Sequence, residues 1–114
     1  MKRCRCMALD LDGTLLSPEG KLTDRAREAL AEAVSRGVHV VIASGRAYET
    51  LPEEVTGLPG IQYAITSNGA AIYRVPDSER ILSRKLRPEA VETVLRIARR
   101  ELSRPVFEIF MDGA

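Results

Sequence analysis

The run Val38-His39-Val40-Val41-Ile42-Ala43, almost continuously apolar and directly preceded by a helix-patterned segment, most narrows what this chain can fold into. A short stretch of this kind suits a parallel strand covered on both faces. Gly37, just before it, stands where a helix C-terminal cap belongs. Upstream, Ala26, Ala29, Leu30, Ala33 and Val34 fall at i, i+3, i+4, i+7 and i+8. That spacing is one stripe of an amphipathic helix, which Thr23 or Asp24 can cap. Cys4 to Leu9 is an earlier apolar-leaning run that ends at a carboxylate followed by Gly13, as a buried strand entering a tight turn would. Strand, helix, strand is a βαβ unit, the building block of a parallel sheet.

Beyond Ala43 the pattern changes. The segment from Arg46 to Thr56 reads as helical, but Pro52 lies within it. Either the helix kinks, or a fresh turn begins with Pro52 at its first position. Ile61 to Thr66 gives a third strand. Ala70–Arg74 and Arg80–Lys85 flank the turn-rich Val75-Pro76-Asp77-Ser78, which predicts a β-hairpin. Pro88 and Glu89 open another helix, with Val91, Val94, Leu95, Ala98 and Leu102 on one face and Arg99 and Arg100 near its C-terminal end, where cations suit the dipole. Arg96, Arg99 and Arg100 read as a solvated face. Val106 to Met111 reads as a further strand. Arg84 to Pro88 marks the boundary between two modules, a partial core over 1–86 and the beginning of a second unit over 87–114.

A length of 114 residues allows one modest core and is too short for two ordinary domains. With 29% charged residues, 45% apolar ones and a net charge of +1, the composition is that of a soluble globular protein with no electrostatic pull toward nucleic acid. No apolar stretch approaches the roughly 20 residues of a membrane helix. The N-terminus passes straight into Asp10 and Asp12 without the apolar region of a signal peptide, so the expected compartment is the cytoplasm. Cys4 and Cys6 supply too few ligands for structural zinc and are expected to line the core. The lone His39 is expected to be a packed or edge histidine rather than a ligand.

The chemistry lies at the strand ends. Asp10 and Asp12, two residues apart at the exit of a strand, repel each other unless a cation or a proton intervenes, and magnesium is the expected relief. A carboxylate such as Asp10 can attack phosphorus to form an acyl phosphate. Asp12 is placed to protonate the leaving oxygen and later to take a proton from water. Gly13 permits a turn whose N–H groups face phosphate oxygens. Ser44-Gly45-Arg46 follows the second strand and Ser67-Asn68-Gly69 the third. In open parallel sheets ligands bind beyond the carboxyl ends of strands, so these loops are expected to share one crevice. Asn68-Gly69 reads equally as a type I′ hairpin turn.

Asp10-Leu11-Asp12-Gly13-Thr14-Leu15 resembles the first motif of the haloacid dehalogenase (HAD) superfamily, and Ser44 its second. Ala43-Ser44-Gly45-Arg46 and Thr66-Ser67-Asn68-Gly69-Ala70 resemble segments of its Cof-type (type IIB) phosphatases, whose cap domain is inserted after the third strand. Asp10 and Ser44 are too close in sequence to hold a cap between them, in keeping with that subgroup. The resemblance implies an α/β, Rossmann-like core with a partial parallel sheet, a β-hairpin and the start of a C2-type α/β cap. It makes Asp10 the nucleophile and a Mg²⁺ ligand, and Asp12 the general acid/base whose backbone carbonyl also meets the metal. It makes Ser44 the phosphate-binding hydroxyl, with Gly13, Thr14, Gly45, Arg46 and Asn68 on the phosphate or substrate side.

The family's later lysine and closing acidic pair have no convincing counterpart here, because Lys85 sits on the hairpin exit and Asp112 on the presumed cap strand. The expected activity is magnesium-dependent hydrolysis of a phosphomonoester through an aspartyl-phosphate, on a small phosphorylated metabolite such as a sugar phosphate, nucleotide or cofactor phosphate. Phosphomutase is a close alternative. A truncated, non-catalytic fragment that binds phosphate or a partner chain is the other, with this chain alone expected to be inactive. Unpaired sheet edges predict reduced stability or self-association.

Overall fold

The computed structural model describes residues 4–109 and 111. Five strands form one sheet in the order β1 (Cys6–Leu9), β2 (His39–Ala43), β3 (Ile61–Thr66), β4 (Ala71–Arg74) and β5 (Glu79–Ser83). β1, β2 and β3 are parallel neighbours, and β3, β4 and β5 run antiparallel, so the expected βαβ unit and hairpin are both present in one mixed sheet.

The helix between β1 and β2, α1 (Asp24–Ser35), starts where the sequence places it. Thr23 is its N-cap, and the Thr23 side chain accepts a hydrogen bond from the Ala26 N–H at 3.2 Å. Gly37 follows in the left-handed region, with φ of +78°. After β2, Tyr48–Thr50 makes a single tight turn and Pro52 precedes the short α2 (Glu53–Thr56) as its N-cap. Proline therefore starts a new turn rather than kinking a continuous helix.

The core lies on one face of the sheet. Met7 and Leu9 of β1 stand opposite Val40 and Ile42 of β2, and Ile61, Ala64 and Tyr73 continue the face. Leu30 of α1, Val55 of α2, Leu58 and the loop residues Leu11, Leu16 and Leu22 close over it. The opposite face of β2, carrying Val41 and Ala43, is only half-buried, and Cys6 and Ala8 of β1 are exposed. The expectation of strands covered on both faces is thus corrected: among the described residues the helical layer covers one face. For the same reason Cys4 and Cys6 are exposed free thiols rather than core-lining ones, and of the two placements expected for His39 the packed one fails, since it is exposed as the first residue of β2.

The helix α3 (Pro88–Glu101) buries none of its residues. Val94, Ile97 and Leu102 are exposed on it and after it. The radius of gyration is 17.0 Å, against roughly 13 Å for a compact chain of about this size. The strand expected over Val106–Met111 is absent from residues 106–109 and 111, which have no regular secondary structure. Residue 110 and Asp112 lie outside the described residues. A strand needs a neighbour for its ladder, and among the described residues none pairs with this segment.

Candidate functional site at the ends of three parallel strands

Asp10 follows β1 directly, Ser44 follows β2, and Ser67-Asn68-Gly69 follows β3. Each residue is delivered by the ladder that precedes it. Leu9 pairs with Ile42 and Ile42 with Ala64, and the Ser44 N–H continues the ladder by donating to Ile65 O at 2.9 Å. The three polar loops consequently open into one shallow concavity of about 320 Å³. Asp10, Ser44, Gly45 and Asn68 line it, with Ala43, Ile65 and Gly69 completing the wall.

The first loop is a wide turn over Leu11–Leu15, closed by a hydrogen bond from Leu16 N–H to Leu11 O at 2.9 Å. Leu11 is 0% exposed, so it anchors the turn in the core and leaves the flanking Asp10 and Asp12 in solvent. Gly13 takes φ of +74°, which a side chain would disfavour. Thr14 Oγ1 donates to Asp10 Oδ2 at 3.3 Å.

The second loop holds Ser44 buried, at 6% exposure. Its Oγ accepts from the Arg46 N–H at 3.1 Å, which leaves the hydroxyl hydrogen as a donor for a ligand. The Arg46 side chain does not line the concavity. Its Nε donates to Asp12 Oδ2 at 2.8 Å and its Nη2 to Asp12 Oδ1 at 2.6 Å, a fork on one carboxylate, while Nη1 donates to Thr50 O at 3.1 Å. Hydrogen bonding to this guanidinium, and its charge, hold the Asp12 carboxyl below the usual aspartate value, although desolvation acts the other way.

In the third loop Ser67, Asn68 and Gly69 all take positive φ, at +50°, +54° and +93°. The type I′ reading holds for the turn itself, since Asn68 (φ +54°, ψ +34°) and Gly69 (φ +93°) are its central residues and the Ala70 N–H closes it on Ser67 O at 3.1 Å, but it sits inside a four-residue connection between the paired Thr66 and Ala71 rather than a two-residue one. This left-handed turn is fixed by hydrogen bonds from Ser67 N–H to Arg46 O at 2.9 Å and from Asn68 N–H to Ser44 O at 3.4 Å. It seats the Asn68 carboxamide against Gly45, where an added Cβ would meet Asn68 Oδ1 at 3.0 Å.

The structure therefore gathers Asp10, Ser44, Gly45 and Asn68 around one space, with Thr14 bonded to Asp10. It sets Asp12 and Arg46 beside that space as a pair. Sequence reasoning did not single out Ile65 or the Asp12–Arg46 fork. The first could have been found from its place at a strand exit, whereas the second had no signal in either residue's local pattern. Among the described residues no group of three or more His, Cys, Asp or Glu could hold a metal ion. The Asp10 carboxylate and, with the Asp12 carboxylate forked by Arg46, the Asp12 backbone carbonyl are the oxygen donors this motif offers. Their type fits Mg²⁺, which is often held by one or two carboxylates with water and substrate phosphate.

Comparison with known proteins agrees with this arrangement. Residues 7–110 match the family model of haloacid dehalogenase-like hydrolases. Over 69 residues the chain is 41% identical to the 5-amino-6-(5-phospho-D-ribitylamino)uracil phosphatase of Bacillus subtilis (strain 168), a match covering 60% of this chain and 28% of the relative. A solved phosphatase of the haloalkanoate (HAD) superfamily from Bacteroides thetaiotaomicron superposes with a TM-score of 0.75 at 31% identity, over 85% of this chain and 35% of that one. A HAD subclass IIB sugar phosphatase superposes with a TM-score of 0.73 at 27% identity, over 85% and 38% of the two chains. This chain thus spans between 28% and 38% of the length of these three proteins. With the family pattern running through residues 7–110 and the Rossmann-like fold shared with these phosphatases, the chain belongs to the haloacid dehalogenase-like hydrolases, in their Cof-type branch.

Proposed function

We propose that the chain carries the nucleophile half of a phosphomonoester hydrolase site. The observation that supports this most directly is the convergence of Asp10, Ser44, Gly45 and Asn68 on one concavity at the strand ends. In this reading an Asp10 carboxylate oxygen attacks phosphorus and the bond from phosphorus to the ester oxygen breaks. Asp12 gives the leaving oxygen a proton. Water then attacks the aspartyl-phosphate, its proton passes to Asp12, and inorganic phosphate leaves with Asp10 restored. The Ser44 hydroxyl, the loop N–H groups around Gly13 and Gly45, Thr14 and the Asn68 carboxamide hold the phosphoryl oxygens. Mg²⁺, when bound, supplies neutralisation of the developing charge, and Asp10 and Asp12 are the residues that would hold it.

The relatives' phosphatase names support a small phosphorylated metabolite as substrate. Residues 1–86 are read as the partial core and 87–114 as the beginning of a cap, in keeping with the lack of buried residues in α3. No helix among the described residues is long and apolar enough to cross a membrane. A cytoplasmic setting is the proposed one, with no nucleic acid partner and with self-association through the outer edges of β1 and β5.

The test is p-nitrophenyl phosphate hydrolysis with magnesium, comparing this chain with Asp10→Asn. Turnover that disappears in the variant is expected of the enzyme reading; equal turnover in both sinks the role of Asp10. A second reading, a phosphate-binding chain that does not turn over, is separated by the same experiment. Its signature is no hydrolysis in the parent together with phosphate-induced NMR shifts at Ser44, Gly45 and Asn68.

A further inference from the structure

We propose that Arg46 serves the reaction through Asp12, as a positioning residue, and is not a ligand of the substrate's phosphoryl group. The inference rests on the phosphatase reading above. Three observations carry it. The guanidinium forks onto both oxygens of Asp12, at 2.8 and 2.6 Å, a planar two-point contact that fixes the carboxylate plane as a lysine's single ammonium could not. The fork is itself held, because Nη1 donates to Thr50 O at 3.1 Å. The backbone is braced as well. The Arg46 N–H donates to Ser44 Oγ and the Arg46 carbonyl accepts from Ser67 N–H, so the second and third loops both locate this residue.

The residues around the concavity point the same way. Asp10, Ser44, Gly45 and Asn68 line it, and Arg46 does not. Asp12 stands on a solvent-exposed turn whose only buried anchor is Leu11, so without the fork its carboxylate would sample several rotamers. Each Asp12 oxygen keeps a further lone pair when the fork is made. The carboxylate is therefore oriented without being occupied, and can still exchange a proton with the leaving oxygen or with water. Orientation of this kind matters for rate, since misplacement by about 1 Å can cost on the order of 100-fold.

The experiment uses the isotope-labelled chain and inorganic phosphate as probe, following the Arg46 Nε–H signal, the Asp12 carboxylate carbon and the loop amides by NMR. Phosphate is expected to move the amides of Ser44, Gly45 and Asn68 while the Arg46 Nε–H stays in place. Asp12→Asn is expected to displace that Nε–H signal. Arg46→Lys is expected to move the Asp12 carboxylate carbon, leave the amides of β1 and β2 unshifted, and bind phosphate as the parent does. Losing a charge-assisted phosphate contact would instead weaken phosphate by about tenfold or more. That loss, or an Arg46 Nε–H that follows phosphate as the loop amides do, overturns the proposal. If phosphate moves no amide at all, the phosphate-site reading itself fails and the role of Arg46 falls with it.

Discussion

Replacing Gly60 with alanine should destabilise the fold more than any other single added methyl at the described glycines. Gly60 leads into β3 with φ of +88°, and a Cβ built there would lie 2.5 Å from Val34 Cγ1 and 2.8 Å from Cγ2. Val34 cannot turn aside cheaply, because a β-branched residue in a helix has one strongly preferred rotamer. Forcing an L-residue into the left-handed region costs about 1–2 kcal/mol. Overpacking at the α1 contact adds about 1–3 kcal/mol. The stiffer unfolded chain returns about 0.4–1 kcal/mol. The net expectation is a loss centred on about 3 kcal/mol, within about 1–4.6 kcal/mol, a large share of the roughly 5–15 kcal/mol that holds a typical domain together. At this chain length that lowers Tm by roughly 10 °C or more.

Gly45→Ala is the control for that change, because its φ is outside the left-handed region and its Cβ meets only the exposed Asn68 carboxamide at 3.0 Å. It should melt close to the parent and bind phosphate more weakly. Thermal and urea unfolding followed by circular dichroism measure both variants. Coincident melts for Gly60→Ala and the parent would refute the claim that the Val34 contact and the left-handed backbone are what demand glycine.

Thr23→Ala should cost about 1 kcal/mol by removing the N-cap of α1, and Thr23→Ser should restore most of it; urea midpoints decide. Arg74 hydrogen-bonds Asp77 and keeps its carboxyl below the usual aspartate value. A folded-state value lowered in this way stabilises above the unfolded value of about 3.9, and the benefit disappears as pH falls through the folded value. Asp77→Asn should therefore flatten the fall of Tm on acidification below about pH 4, and salt should shrink the difference because the pair is exposed. Amides of α3, which buries no residue, should exchange with deuterium far faster than those of β2, which lies between β1 and β3. Equal protection by mass spectrometry would show that α3 is covered in solution.

The elements with a strong local signal were readable from the sequence. Thr23, the apolar spacing of α1 and Gly37 specify a start, a face and a stop, and the helix runs between them. Ile61–Thr66 and the two arms around Val75–Ser78 were readable because alternation and turn residues act over few positions. What was not readable depends on which elements lie on top of which. Val41 and Ala43 are as apolar as Val40 and Ile42, yet only the latter pair faces the helical layer. Val106 to Met111 has strand composition, and among the described residues it has no ladder partner. Asp10 and Ser44 were placed by their strand-exit positions, whereas the pairing of Arg46 with Asp12 needed three-dimensional geometry.

The site's accuracy follows from where its residues leave the sheet. Loops alone would place Asp10 and Ser44 only approximately, but both stand one residue beyond paired strands, and the Ser44 N–H bond to Ile65 O extends the ladder to the serine itself. The position of Ser44 relative to Asp10 is thus a consequence of parallel registry, with backbone hydrogen bonds rather than side-chain contacts setting it. Asp12 lacks this support, since it stands three residues past the strand on a turn fixed by Leu11 and by the backbone freedom of Gly13. A long-range tie is then required to hold its carboxylate in one plane, and the guanidinium of Arg46 supplies it from the loop that Ser44 opens. The two carboxylates of the motif are accordingly held by different means, Asp10 by the sheet and Asp12 by the fork. Disturbing Arg46 should alter the second without displacing the first.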